Sequence, residues 1–500
     1  MSSIVAFPVI LPFGVAAATL WLRNAPHWQA RIGILGSLLH LAAAAALFRR
    51  VTQSGIQTMQ VGDWAAPFGI TLAADHLSVV MIMVTAVLGL AVAVYSRAEI
   101  GPELFRAGYC PLLHILLGGV CGAFLTGDLF NLYVWFEVML MASFGLLVLG
   151  QEKRQLDGGV KYVMINLFAT LLFISGVGLL YGMTGTLNLA DLHLAVQELE
   201  NEALLAAVAA IFMTAFGIKA GVFPLFFWLP VSYHTPPAAV SAILAGLLTK
   251  VGVYALIRLF SLVFIFDVAL THGLLLGAAI ATMVTGVLGA AAFNEFRRIL
   301  SFHIISQVGY MVLGLALFTP LALAGAVFYL LHHMIVKANL FLISGLSARI
   351  SGSYELGRLG GLYRSHRFLS LLFFIPAFSL AGFPPLSGFW AKLILVRAGL
   401  EIGAYVAAAA AVIVGLLTAY SMSKIWSEAF WKPSPGSAGS GEDRRTAPSP
   451  DIWMLLPVAG LAALTLIIGL MPGPFLEVAE RAAHELTHPQ MYVNAVLEGR

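Results

Sequence analysis

The chain has 500 residues, 60% of them hydrophobic and 10% charged, with a net charge of +3 and a mean hydropathy of +0.93. Soluble domains carry about 25% charged residues, so this composition excludes a soluble enzyme and any nucleic-acid partner that would need a basic patch. Apolar runs of roughly 20 residues, enough to cross a bilayer core, recur along the whole length, while the period-two alternation of a membrane barrel is absent.

The reading is an all-α polytopic membrane protein of about fourteen transmembrane helices. The first three fall at 3–22, 31–48 and 75–95. No basic residue precedes the first, so it reads as a retained helix and not as a cleaved signal peptide. The segment 51–74, with Gly62-Asp63 and Pro67-Phe68-Gly69, is expected to form an outer hairpin, and Asp75 suits an N-cap for the third helix. Helices four to six follow at 110–126, 129–149 and 159–181, then 203–225, 237–262, 271–292 and 298–317. Cys110 and Cys121 lie on one helix, about 16 Å apart in rise, too far for a disulfide. The last four helices are 321–347, 367–399 with a break, 402–428 and 453–471. A Pro-, Gly- and Ser-rich stretch at 432–450 reads as a flexible inner loop, and an amphipathic stretch at 476–496 is expected on the surface.

The basic residues set an orientation. With both termini outside, 17 of them, including Arg97, Arg297, Arg298, Arg444 and Arg445, fall on the inner side. Only 6, including Arg258 and Arg500, fall outside, as the positive-inside rule requires. Two helices look interrupted: Pro224 ends the seventh just past Lys219, and Gly382, Pro384, Pro385 and Gly388 break the twelfth before Lys392. A pair of broken helices, each beside a lysine, points to inverted repeats with a site at the midplane.

The remaining four basic residues, Lys219, Lys250, Lys337 and Lys392, sit inside apolar segments, as does Glu137. Each central charge costs about 2.5–3.5 kcal/mol, so four lysines would cost on the order of 10 kcal/mol without partners or water. Packing alone does not account for that. The competing reading is snorkelling of lysines to the headgroups, less favoured for Lys250 and Lys337, which have apolar sequence on both sides. Glu137 needs a partner from another helix, and Lys219 is the choice. A pair that forms and breaks is a proton switch, whereas a static buried ion pair is the structural alternative. His333, four residues before Lys337, shares its helix face and suits a relay as well as it suits a packing role. His332 points elsewhere. His234, in the seventh-to-eighth connection, is either a relay or a loop cap, the cap being slightly preferred. Ser241, Thr249, Ser301, Ser306 and Gln307 could carry water or hold helices together. No phosphate loop, dinucleotide fingerprint, metal cluster or haem motif is present, so no cofactor and no metal are expected.

FEVMLMASFGLL around Glu137, KAGVFPLFFWLPVSYHTPPAAVSAILAGLLTKVGVYALIR at 219–258, HHMIVKANLFLISG at 332–345 and GFPPLSGFWAK at 382–392 together resemble the antiporter-like proton-pumping subunits. That superfamily includes membrane-arm subunits of respiratory complex I, membrane hydrogenase subunits, and the A-type and D-type subunits of Mrp-type multisubunit Na⁺/H⁺ antiporters. The resemblance runs over roughly 60–425. It implies fourteen helices with two inverted five-helix repeats: N-terminal helices in 1–108, the first repeat in 109–265, the second in 266–430. The inner loop, last helix and amphipathic segment then fill 431–500. It implies that Glu137 and Lys219 form the switching pair, followed by Lys250, His333, Lys337 and terminal Lys392. The complex I M-type subunit has a glutamate where this chain has Lys392. The L-type has a further histidine where this chain has Tyr329, and a long lateral helix for which 476–496 leaves no room. Length, HHMIVK and GFWAK fit the Mrp D-type subunits best. The resemblance also implies partner subunits, H⁺ and Na⁺ as the ions, a plasma-membrane location and no ATP or redox cofactor. A redox-driven pump subunit and a non-transporting scaffold are the alternatives.

Overall fold

A computed structural model describes residues 3–434 and 450–497. The central part of the expected inner loop, with Arg444 and Arg445, lies outside the described residues, as does Arg500. Among the described residues, eleven helices are long and apolar enough to cross a membrane, and three shorter apolar helices accompany them.

The chain opens with α1 (Phe7–Trp21), α2 (Pro26–Ser54) and α3 (His76–Glu99). Between α2 and α3, β1 (Gln57–Gln60) pairs antiparallel with β2 (Thr71–Ala74), Gln57 opposite Ala74, which is the expected hairpin. Asp75 caps α3 by accepting from Ser78 N–H at 2.8 Å. Next come α4 (Tyr109–Leu125), α5 (Leu129–Val148), α6 (Lys153–Thr184) and α7 (Glu202–Ala220). They are followed by α8 (Ala238–Leu262), α9 (Val268–Ala292), α10 (Phe296–Leu317) and α11 (Pro320–Ser351). The last are α12 (Arg367–Ala381), α13 (Ser387–Glu401), α14 (Tyr405–Ile425), α15 (Ile452–Leu470), α16 (Gly473–Thr487) and α17 (Pro489–Leu497).

Burial sorts these helices into a centre and a shell. The most apolar stretches of α8, α10 and α11 are each 94% buried, against 33% for α2 and 39% for α6, α9 and α14. A helix packed on all sides lies in the middle, where its polar residues avoid lipid, and one with a single packed stripe lies against lipid. The centre therefore consists of α8, α10 and α11, which carry Lys250, His303, His333 and Lys337.

Both interruptions fall where proline and glycine predict them, but the helix before the first one is shorter than expected: α7 stops at Ala220. Gly221 (φ 78°) and Gly382 (φ 96°) take up the left-handed conformation that lets each helix end. The two breaks then use the same hydrogen bonds, residue for residue. Gly221 N–H bonds the Gly217 and Ile218 carbonyls, Val222 N–H that of Gly217, and Leu225 N–H that of Val222. Likewise Gly382 N–H bonds Phe378 and Ser379, Phe383 N–H bonds Phe378, and Leu386 N–H bonds Phe383.

Two sequence expectations change at the end of the bundle where the hairpin and the C-terminal helices meet. Arg258, counted as an outer-side base near the end of the eighth helix, is buried within α8, its guanidinium 2.6 Å from the Asp75 carboxylate. Its Nη2 also donates to Tyr254 Oη and Ser78 Oγ at 3.1 and 3.3 Å. The amphipathic stretch expected on the surface is divided in two and packed against the bundle. It forms α16 and α17, docked by an apolar stripe that includes Ala479, Ala482, Ala483, Leu486, Tyr492 and Val496. Glu485 on α16 is buried and accepts from His76 Nδ1 at 2.7 Å and from the His76 backbone N–H at 2.9 Å. Such partners come from elements distant in sequence, which periodicity does not reveal.

Candidate functional site

Every lysine singled out from the sequence is buried. Each ammonium has three protons to place and, inside a membrane, few acceptors. Lys219, at the C-terminal end of α7, donates to Thr170 Oγ1 at 3.2 Å and lies 4.8 Å from the centre of the Phe136 ring. Thr170 in turn donates to Glu137 Oε1 at 2.6 Å. The expected Glu137–Lys219 pair is thus joined through the Thr170 hydroxyl and not by direct contact. Beside it a cavity of about 20 Å³ is lined by Lys219, Asn166, Tyr162, Tyr233 and Trp228, among others. That is room for roughly one water.

Lys250, midway along α8, donates to the Ala245 carbonyl of its own helix. Lys337 on α11 reaches the Leu300 carbonyl of α10 at 3.1 Å. Neither has a carboxylate partner among the described residues. His333 sits one turn from Lys337 with neither ring nitrogen bonded to protein, and titratable groups around it include Lys250, Lys337, His332 and His303. The α11 histidine thereby joins the α8 and α11 lysines.

Lys392 follows its break, whereas Lys219 precedes its own, yet the ammonium of Lys392 folds back to the Leu380 and Ala381 carbonyls at 2.9 and 3.0 Å. Those carbonyls occupy the positions that Lys219 and Ala220 hold in the first break. The Lys392 ammonium therefore rests at the carbonyl end of a half-helix, where the helix dipole favours positive charge, while Lys219 is carried by the last turn of the other half-helix. Lys392 Nζ also lies 5.0 Å from the centre of the Tyr310 ring, which stacks on Tyr329 at 5.1 Å.

The sequence reading missed two members of this region and underrated a third. His303 on α10 is fully buried, bonds no protein group through either nitrogen, and has Lys337 and Lys392 as its charged neighbours. Its signal was a histidine in an otherwise apolar helix, three and four residues before Ser306 and Gln307. Thr170 gave no signal, because a helical threonine usually bonds its own backbone. His332, rated below His333, turns out to be tied to the second break: its Nδ1 lies 2.8 Å from Ser387 Oγ, which lies 2.9 Å from Ser379 Oγ.

His234 lies in the loop before α8, apart from the buried lysines. It lines a cavity of about 690 Å³ with Glu152, Arg154, Glu295, Arg297, Arg298, Tyr354, Glu355 and Arg358. Burial first, and then the Arg297 and Arg298 charges, lower its pKa to about 4, so it is neutral at ordinary pH. The adjacent Tyr233, whose hydroxyl has no protein partner, lines the small cavity beside Lys219. Polar side chains thus lead from the basic end of the bundle to the first break. Among the described residues no cluster of His, Cys, Asp and Glu could hold a metal ion.

A bundle of membrane-length helices, two of them broken alike, with lysines and histidines strung through its centre, is a membrane-domain architecture shared by ion-translocating complexes. Residues 126–418 match the family of NADH:quinone oxidoreductase/Mrp antiporter transmembrane subunits, and the chain belongs to that family. It is 45% identical, over the full length of both chains, to the D-type subunit of a Na(+)/H(+) antiporter from Alkalihalophilus pseudofirmus. Its fold is similar to a chain of the Mrp complex from Dietzia sp. DQ12-45-1b, with TM-score 0.91, 35% identity and coverage of 99% of this chain and all of that one. It is also similar to a chain of respiratory complex I from Thermus thermophilus, with TM-score 0.83, 25% identity and coverage of 97% and 99%.

Proposed function

We propose that this chain is the proton-translocating subunit of a multisubunit Na⁺/H⁺ antiporter of the plasma membrane, acting as a secondary transporter with partner subunits and without a cofactor. Counting α12 and α13 as halves of one interrupted helix, fourteen segments cross the bilayer. The short helix Trp228–Ser232 follows the break after α7. Two inverted five-helix repeats run from α4 to α8 and from α9 to α14, and both termini lie outside.

Protons enter from the basic, inner end through the 690 Å³ vestibule, pass Tyr233 and reach Lys219. Protonating Lys219 strengthens its hold on Glu137 through Thr170, and releasing the proton weakens it. The change in charge alters the proton affinity of Lys250, then of His333 and Lys337, and finally of Lys392, with His303 between the last two lysines. Each step is coupling between titrating neighbours. The observation that carries this reading is that Lys250 and Lys337 are buried at the centre with only carbonyl partners. A permanently charged group there would demand a carboxylate, as Arg258 has in Asp75. A group that exchanges protons is better served by weak, replaceable partners.

The test is ion exchange in everted vesicles from an antiporter-deficient strain expressing the chain with and without its partner subunits. The expected result is Na⁺-driven proton movement only with the full set. Similarity to the complex I chain favours a second reading, a redox-driven pump component. NADH-linked proton pumping by an assembly that accepts this chain, with no Na⁺-driven movement in the full antiporter set, would establish that reading instead.

A further inference from the structure

On the outer face of the bundle an apolar groove of about 300 Å³ runs between α2, α3 and α15. Its walls are Leu41, Val87, Leu90, Val94, Leu456 and Leu461, and Gly460 lies in its lining with open space where a side chain would stand. In a membrane such a groove receives a hydrocarbon chain by default. What distinguishes this one is its end. One turn beyond Val94 on α3 comes Arg97, and one turn before Leu456 on α15 comes Trp453. The guanidinium of Arg97 lies 3.9 Å from the centre of the Trp453 ring, one turn past the groove's lining toward the basic end of the bundle. Beside it Arg349 of α11 donates to the Ala98 carbonyl at 2.6 Å. Arg97 and Arg349 are both exposed and form no ion pair among the described residues.

We infer that this groove is a binding site for an anionic phospholipid, with an acyl chain between α3 and α15 and the phosphate on Arg97 and Arg349. A tryptophan at headgroup depth and two guanidinium groups with donors to spare suit a phosphodiester. Basic pockets between helices on the inner side are typical places for anionic headgroups. A neutral lipid would fill the apolar part equally well but would bring a cation of its own to the two arginines. A helix of a partner subunit would have to supply an acidic residue at the same depth.

The assembled complex, purified in detergent and titrated with phosphatidylglycerol or phosphatidylcholine, tests this by native mass spectrometry of retained lipid. Wild-type complex should hold phosphatidylglycerol at least about tenfold more tightly than phosphatidylcholine, a preference worth about 1.4 kcal/mol. The double variant Arg97→Gln, Arg349→Gln should lose that preference. Gly460→Leu, which fills the groove and leaves the charges in place, should lower retention of the phosphatidylglycerol by a similar factor, and it keeps the question open to test if the arginine variant assembles poorly. Equal retention of the two lipids by wild type, unchanged retention in both variants, or a cross-link from Gly460→Cys to a helix of a partner subunit would overturn the inference.

Discussion

Two buried charged regions lie in this molecule, and they are built on opposite principles. Where the C-terminal helices meet α3 and α8, the buried Arg258 is matched by Asp75 at 2.6 Å and Glu485 by the His76 ring at 2.7 Å, with Ser78 and Tyr254 taking up further hydrogen bonds. Along the centre, Lys250, Lys337 and Lys392 hold only backbone carbonyls, and His303 and His333 hold no protein group. Matched charges fix structure, because separating them leaves an uncompensated ion in a medium that cannot solvate it. Unmatched titratable groups are free to change their proton number. The first region reads as a clasp, and the second is the conductor of the proposed function.

The sharpest contrast comes from one substitution in each region. Asp75→Asn strands the Arg258 guanidinium and is expected to cost about 3–5 kcal/mol, seen as a large loss of assembled protein from membranes. Lys250→Ala removes a costly buried cation. It should leave the amount of assembled complex unchanged while reducing Na⁺-driven proton movement to the level of vesicles lacking the antiporter. Normal exchange by Lys250→Ala complexes would make the centre a scaffold.

A smaller effect is expected at Thr170. Thr170→Val keeps the shape but removes the hydroxyl that joins Lys219 to Glu137. Losing a hydrogen bond to a charged group costs about 1.5–3 kcal/mol, so exchange should fall tenfold or more but remain above that of Lys219→Ala. A Thr170→Val complex as inactive as Lys219→Ala, or as active as wild type, would remove the hydroxyl from the account.

The smallest effect is expected at His234. Its pKa is depressed to about 4 by burial and the nearby arginines, so it carries no charge in the working range. His234→Gln should leave the pH profile of exchange unchanged between about pH 6 and 9. The sign for stability follows from the same shift. The unfolded chain takes up a proton near pH 6.5 and the folded one only near 4, so His234 favours folding above 6.5 and that contribution is lost as pH falls from there toward 4. A His234→Gln profile displaced near neutrality would put this histidine back into the relay.

The contrast between the regions also explains what was legible in the sequence. Lys219, Lys250, Lys337 and Lys392 announced themselves because a charge in an apolar run has a calculable cost. The two breaks were visible in glycine and proline for the same kind of local reason. The clasp was not visible: Arg258 looked like an ordinary outer-side base and Glu485 like the polar face of an amphipathic helix. Only the tertiary fold brings Asp75 and His76 to them. Thr170 and His303 lie between these cases, being ordinary polar residues on largely apolar helices, with nothing local to separate a bridging role from a packing one. The paired ends were hidden by distance along the chain, whereas the unpaired centre was exposed by composition.

The central claim is that the lysines and histidines of α8, α10, α11 and α13 exchange protons through water. The most direct measurement is a high-resolution cryo-electron microscopy map of the assembled complex in lipid, inspected for ordered water between Lys219 and Lys392. Density should bridge Lys250 Nζ, the His333 ring, Lys337 Nζ and the His303 ring in a connected file. Close hydrocarbon packing between those groups, with Lys250 and Lys337 directed away from one another toward the membrane faces, would contradict it.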